Sequence, residues 1–329
     1  MTNDPRSTLR SFLRSAAIVV CIAIVFVVAE NVVVPAYLMR LPRMTTDFSP
    51  EYLQHKLQAM AAAPPAIVFL GDSAIWGYGL PAGETAISIL NDRGCDCVNL
   101  AFKAGSPAND YALVRLFAEY GVRPKLVVIE LNQRPLNHAD DSYDSLHPAI
   151  ASLAAPLFTN DDRSALNLPT PAPTIAARLD RTLASTWMLY GMRADLRALM
   201  LGDVDALPKK KATAEQFLGT YDLTPLDETN VGVKYLEKTV DLLHQLGIPT
   251  IAFMTPTNHA LLHDYIDDPA YAANGEYLKN LLKKRGVRTI DLDRGFPTGE
   301  FIDNAHLTPQ GQIRLAAILS RDVLASPGP

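Results

Sequence analysis

Two clusters of residues in this chain have the types and spacing of acyl-transfer chemistry. Gly71-Asp72-Ser73 follows the apolar run 66–70 directly, and glycine permits the sharp turn that lifts a serine out of a strand. A serine hydroxyl is a weak nucleophile until a neighbouring base takes its proton. Far downstream the chain reads Phe301-Ile302-Asp303-Asn304-Ala305-His306-Leu307-Thr308-Pro309. A spacing of three in a helical turn puts the Asp303 and His306 side chains on one side of the backbone. There the carboxylate holds one imidazole nitrogen protonated and leaves the other free to accept the serine proton. Taken alone, Gly-Asp-Ser reads equally well as a turn serine capping a helix, and Asp303 with His306 as a surface loop. Their placement joins them, one after the first apolar run and the other after the last.

The elements that must bring them together follow from hydropathy. Apolar runs at 66–70, 98–100, 126–131, 248–254 and 287–292 predict five strands, with helical patterns at 110–120, 232–246, 271–285 and 309–324. Continuous rather than alternating apolar strands mean that both sheet faces are covered, which requires a parallel sheet between helix layers. The expected fold is therefore a three-layer α/β/α sandwich with a roughly five-stranded, flavodoxin-like sheet. Thr308-Pro309 is an N-cap and first-turn pair for the last helix. In an open parallel sheet ligands bind at the carboxyl ends of the strands, where Ser73 stands.

Three stretches lie outside that pattern. Arg6, Arg10 and Arg14 precede an apolar run over 16–29, which resumes beyond Glu30 and Asn31. A basic flank ahead of an apolar segment keeps the amino end in the cytoplasm and sends the rest across. A cleaved signal peptide and an uncleaved single-pass transmembrane helix both fit, and the length of the segment favours the anchor. Residues 1–40 are thus read as tail and anchor in the cytoplasmic membrane, with the catalytic domain facing the periplasm or extracytoplasmic side. Residues 41–65 are read as a tether with a short helix over 51–62, and 66–329 as the catalytic domain. Within that domain an insert at about 134–230 carries Pro169, Pro171, Pro173 and a helical pattern over 174–200. It is expected to be a cap over the site or a partner-docking surface.

Composition narrows the partners. A net charge of −5 argues against a nucleic-acid surface, which needs clustered Lys and Arg. Of the three cysteines, Cys95 and Cys97 are one residue apart. They are too few for a zinc site, and the reading preferred over a local disulfide is two small residues at the start of a buried strand.

The combination resembles the SGNH hydrolase superfamily, the GDSL esterases and lipases, whose four blocks carry Ser, Gly, Asn and His. Gly71-Asp72-Ser73 matches the first block, and Asp303 with His306 the last. Asn99-Leu100-Ala101 followed by Lys103-Ala104-Gly105 is similar to the second. In the third, the usual Gly-x-Asn-Asp is replaced by Glu130-Leu131-Asn132-Gln133, so the glycine and the aspartate are missing. The resemblance implies an oxyanion hole made of the Ser73 and Gly105 N–H groups and the Asn132 side chain, with no cofactor and no metal. The altered third block, the anchor and the insert look more like extracytoplasmic members that add or remove O-acetyl groups on polysaccharides, such as alginate acetylation proteins and the D-alanine transfer protein of teichoic acid synthesis. That likeness implies a polysaccharide or acyl-ester substrate and a membrane protein that supplies acyl groups. A lipid or small-ester hydrolase, and a glycan- or partner-binding protein without turnover, are the competing readings.

Weaker signals surround the site. Trp76 and Tyr78, just after the serine, offer a stacking face for sugar or a piece of core. Asn258, in Thr255-Pro256-Thr257-Asn258 after the fourth strand, offers a contact to a sugar hydroxyl or simply a proline turn. His259 and His263 have helical metal-pair spacing but no third ligand. His138 and His147 belong to no motif.

Overall fold

In a computed structural model, the structure describes residues 5–28, 43–136, 146–166, 187–201, 212–217 and 223–324, with positions 33, 179, 182, 183, 220 and 221. The strands are β1 (Ile67–Leu70), β2 (Cys97–Asn99), β3 (Leu126–Leu131), β4 (Thr250–Met254) and β5 (Arg288–Asp291). They form one sheet in the order β2-β1-β3-β4-β5, and every pairing is parallel. β1 is buried along its whole length, as a strand covered on both faces must be, while β5, at the edge, is largely open to solvent.

The helices are α1 (Pro5–Val28), α2 (Pro50–Ala62), α3 (Ser73–Trp76), α4 (Ala86–Asp92), α5 (Pro107–Tyr120), α6 (Pro148–Ala154), α7 (Asn160–Ala165), α8 (Met188–Gly191), α9 (Arg193–Leu201), α10 (Val231–Gln245), α11 (His259–Ile266), α12 (Pro269–Lys284) and α13 (Pro309–Leu319). α5 packs on α10, α4 on α13, and α12 beside β5. Because the chain runs from β1 outward to β2 and then back to β3, the order reverses at β1, and the crevice at the carboxyl ends of β1 and β3 is the natural ligand position. Several helix starts are sequence-encoded: Ser49-Pro50, Asp268-Pro269 and Thr308-Pro309 each pair a capping side chain with proline in the first turn.

Three expectations need correcting. The segment read as a tether is part of the body. Met44, Phe48, Tyr52, Leu53 and Leu57 are buried in the main core, because α2 turns an apolar face onto α6 and α5. Second, Cys95 and Cys97 form a disulfide with Cα atoms 5.3 Å apart, inside the range a disulfide spans. Third, the helix read over 174–200 falls partly outside the described residues, and its described end is two short helices, α8 and α9. α9 is tied to the amino-terminal segment, where Asp195 accepts from Thr45 Oγ1 at 2.8 Å and Ser49 Oγ at 2.6 Å.

α1 is 24 residues long and leaves Ile18, Val19, Val20, Ile22, Ile24 and Val25 exposed. Its described side chains are those of 13–26 and 28. Counted over the described residues, no helix is long and apolar enough to cross a membrane.

Candidate active site

β1 ends at Leu70, and Gly71 takes a φ of 147° that residues with side chains rarely adopt. The chain then enters α3, capped by Asp72, whose Oδ1 accepts the Ala74 N–H at 2.9 Å. Ser73 is the first residue of that helix and is partly exposed. Its own N–H meets no acceptor among the described residues.

On the opposite side a small hairpin carries the acid and base. Phe301 bridges Leu307 in antiparallel fashion, and the Ile302 N–H donates to the His306 carbonyl at 2.7 Å. Asp303 Oδ1 accepts the Ala305 and His306 N–H groups at 3.1 and 2.9 Å, which fixes the carboxylate relative to its own loop. Its other oxygen, Oδ2, lies 2.7 Å from His306 Nδ1, and His306 Nε2 lies 2.8 Å from Ser73 Oγ. The three residues are thus one hydrogen-bonded chain with the tautomer defined: Nδ1–H on the carboxylate, Nε2 free to take the serine proton. Burial alone would raise the Asp303 carboxyl. The hydrogen bond and charge of His306, with the two backbone N–H groups, outweigh it and hold the carboxyl below its ordinary value.

The residues expected around the oxyanion are also brought to this edge. Gly105 sits so close to the nucleophile turn that a Cβ on it would come within 2.2 Å of the Gly71 carbonyl oxygen, so no other residue fits there. Its N–H, however, donates to the Phe102 carbonyl at 3.1 Å, closing a turn rather than facing the serine. That expectation is corrected for the state seen here. Asn132 stands after β3, with Oδ1 accepting the Arg134 N–H at 3.0 Å and Nδ2 donating to Asp72 Oδ2 at 2.7 Å. An amide nitrogen carries two hydrogens, so one remains for a ligand.

Two expected substrate contacts are placed elsewhere. Trp76 is fully buried, its Nε1–H donates to the Met44 carbonyl at 2.8 Å, and the Arg43 guanidinium stacks 3.9 Å from its ring centre. It is core, not a stacking face. Asn258 is buried too. It caps α11, and its Nδ2 donates to the Asp303 carbonyl at 3.0 Å while its N–H donates to that of Asn304 at 2.8 Å. Asn258 therefore holds the acid loop and does not meet a sugar. Tyr78 is the aromatic residue that borders the site, its ring 4.5 Å from the His306 ring and partly exposed. Among the described residues no group of three or more His, Cys, Asp or Glu is arranged to hold a metal. His259 Nε2 is instead 2.8 Å from Asp293 Oδ2, and His147 stacks on Phe48 with ring centres 3.9 Å apart.

Reading the motifs alone missed three supports. Arg43 donates to the carbonyls of Trp76, Gly77 and Leu80 at 3.1, 2.7 and 3.0 Å and so clamps the end of α3. Tyr221, from the insert, accepts from Asn304 Nδ2 at 3.0 Å beneath the acid loop. Glu130 reaches from β3 to the nucleophile turn. Only Glu130 left a mark in the sequence, as the lone charge in the apolar run 126–131.

Comparison with known proteins adds the following. A protein-family model matches residues 227–326, a stretch that includes the acid–base hairpin. No curated protein matches the chain. Among solved structures, the chain is similar to a lipolytic protein of the G-D-S-L family from Desulfitobacterium hafniense, at 12% identity and TM-score 0.39, over 78% of this chain and 97% of that one. It is also similar to a family two carbohydrate esterase from Clostridium thermocellum, solved with cellohexaose, at 10% identity and TM-score 0.38, over 79% of this chain and 65% of that one.

Proposed function

We propose that the chain is an SGNH-type serine acyl-transfer enzyme, an O-acetyltransferase or esterase acting on an exported or cell-envelope polysaccharide. The observation that carries the reading is the Asp303–His306–Ser73 hydrogen-bond chain, at 2.7 and 2.8 Å. His306 Nε2 takes the Ser73 proton as Oγ bonds to the ester carbonyl carbon. The tetrahedral intermediate then expels the leaving alkoxide, which receives that proton from His306, and the acyl group stays on Oγ. In the second step an acceptor hydroxyl, or water, gives its proton to His306 as its oxygen bonds to the acyl carbon; the carbon–Oγ bond then breaks and Ser73 Oγ takes the proton back from His306. The oxyanion rests on the Ser73 N–H and the remaining hydrogen of Asn132 Nδ2; one such donor lowers a barrier by about 3 kcal/mol.

A sugar acceptor is supported by the partly exposed Tyr78 ring beside His306, since aromatic faces stack on sugar rings. An extracytoplasmic site is supported by the Cys95–Cys97 disulfide, which persists in oxidising compartments. A membrane anchor is supported by the exposed apolar side chains Ile18, Val19, Val20, Ile22, Ile24 and Val25 on α1, behind the basic flank Arg6, Arg10 and Arg14.

The test supplies the full chain in detergent with an aryl acetate, with and without oligosaccharide acceptors, and follows acetyl groups on Ser73 and on sugar by mass spectrometry. Acetylated Ser73 that is emptied faster by sugar than by water is the expected result. Wild type indistinguishable from Ser73→Ala would sink the enzyme reading; turnover that no acceptor diverts would make it a hydrolase.

A further inference from the structure

The third sequence block departs from its usual form by carrying Glu130 where a glycine is expected, and the structure shows what that glutamate touches. Its Oε2 accepts the Asp72 N–H at 3.0 Å and the Ile75 N–H at 3.2 Å, on either side of Ser73. Oε1 accepts from Thr255 Oγ1 at 3.1 Å, so the carboxyl is anchored to the loop after β4 as well. The first turn of a helix leaves its N–H groups without intrahelical partners. In α3 the Ala74 N–H goes to Asp72 and the Ile75 N–H to Glu130. The Ser73 N–H is then the one in that turn with no acceptor among the described residues, which is what an oxyanion donor needs.

Steric fit points the same way. A Cβ on Gly71 would lie 2.5 Å from Glu130 Cβ and 2.7 Å from Oε2, so the glutamate occupies the space that Gly71 leaves open. The two positions are complementary: a glycine at the turn, a carboxyl from the neighbouring strand filling in behind it.

We propose that Glu130 is a positioning residue that holds the amides flanking Ser73 so that, of the amides in that turn, the serine N–H faces the developing oxyanion. This rests on Ser73 being the nucleophile. Burial, and after it the nearby Asp72 charge, raise the Glu130 carboxyl well above its ordinary value despite the two backbone N–H groups it receives.

The experiment compares Glu130→Gln, Glu130→Ala and Glu130→Gly in the full chain. It measures kcat and KM on an aryl acetate, the rate at which a fluorophosphonate labels Ser73, thermal melting, and amide exchange over 72–75. Ala and Gly are expected to lose about 10²-fold in kcat and in labelling, with KM within about twofold, and to exchange faster at 72–75. Gln keeps one acceptor oxygen for the two amides and is expected to stay within about fivefold of wild type. Ala or Gly matching wild type in rate and exchange would overturn the proposal, and so would Gln as impaired as Ala. If Ala and Gly fail to fold, the Gln variant decides alone. If wild type shows no Ser73-dependent turnover, the functional reading has failed, and exchange at 72–75 still tests whether Glu130 holds the turn.

Discussion

The two halves of the candidate site are held in different ways. The acid–base hairpin is built largely from its own hydrogen bonds: the Phe301–Leu307 bridge, the Ile302–His306 bond, and Asp303 receiving the N–H groups two and three residues ahead of it. Its outside supports, Asn258 and Tyr221 through Asn304, are neutral. The nucleophile turn is too short to hold itself. α3 has four residues, and its geometry is set by groups from distant parts of the chain: Glu130 from β3, Arg43 from ahead of α2, and the amide of Asn99, which donates to the Ile75 carbonyl at 3.0 Å. A self-bonded loop should tolerate loss of a neighbour. A turn held from outside should not.

Perturbations can sharpen or break that contrast. The largest effect is expected where both halves meet: Ser73→Ala should lower kcat by about 10⁴-fold or more without changing the melting temperature, read by ester turnover. Asp303→Asn should cost about 10³- to 10⁴-fold, because the amide favours the wrong imidazole tautomer. Next comes the outside clamp. Arg43→Ala removes three hydrogen bonds and leaves the Trp76 and Leu80 carbonyls without this donor, while that of Gly77 keeps the Leu80 N–H; it should cost about 10- to 100-fold in kcat, with melting lowered by several degrees. Arg43→Lys should recover little, since an ammonium lacks the planar fork that serves three acceptors. Asn258→Ala, on the self-bonded side, should cost about 1–2 kcal/mol in denaturant unfolding and less than tenfold in kcat. Equal losses for Arg43→Ala and Asn258→Ala would break the comparison.

Acid titration gives a further check. The Asp303 carboxyl is depressed in the folded state, so between its folded and unfolded values the unfolded chain binds more protons. Its contribution to stability is full above the ordinary carboxylate range and is lost as pH falls through the folded value. Wild type should therefore lose stability in acid more steeply than Asp303→Asn, while at neutral pH the slopes agree.

The same contrast explains how much was legible in the sequence. Asp303, His306, Thr308 and Pro309 are neighbours, so their spacing alone suggested a shared loop, and five apolar runs suggested a parallel sheet. Strand order, by contrast, depends on which helix covers which face, which no local pattern records. Trp76 lies three residues from Ser73 and Asn258 follows a strand at the site's edge, but their side chains turn into the interior, and position along the chain says nothing of that direction. Arg43 was hidden because its partners are backbone carbonyls, which have no sequence identity. The segment 41–65 looked like a tether because Pro42, Ser49 and Pro64-Pro65 punctuate it, although Phe48, Tyr52, Leu53 and Leu57 within it belong to the main core.

Arg43 also sets where the folded body that carries the candidate site begins. A cut between Val28 and Arg43 would release a body with its clamp intact. A protein started at Glu51 would lack Arg43, Met44 and Phe48, and with them the brace on its own nucleophile.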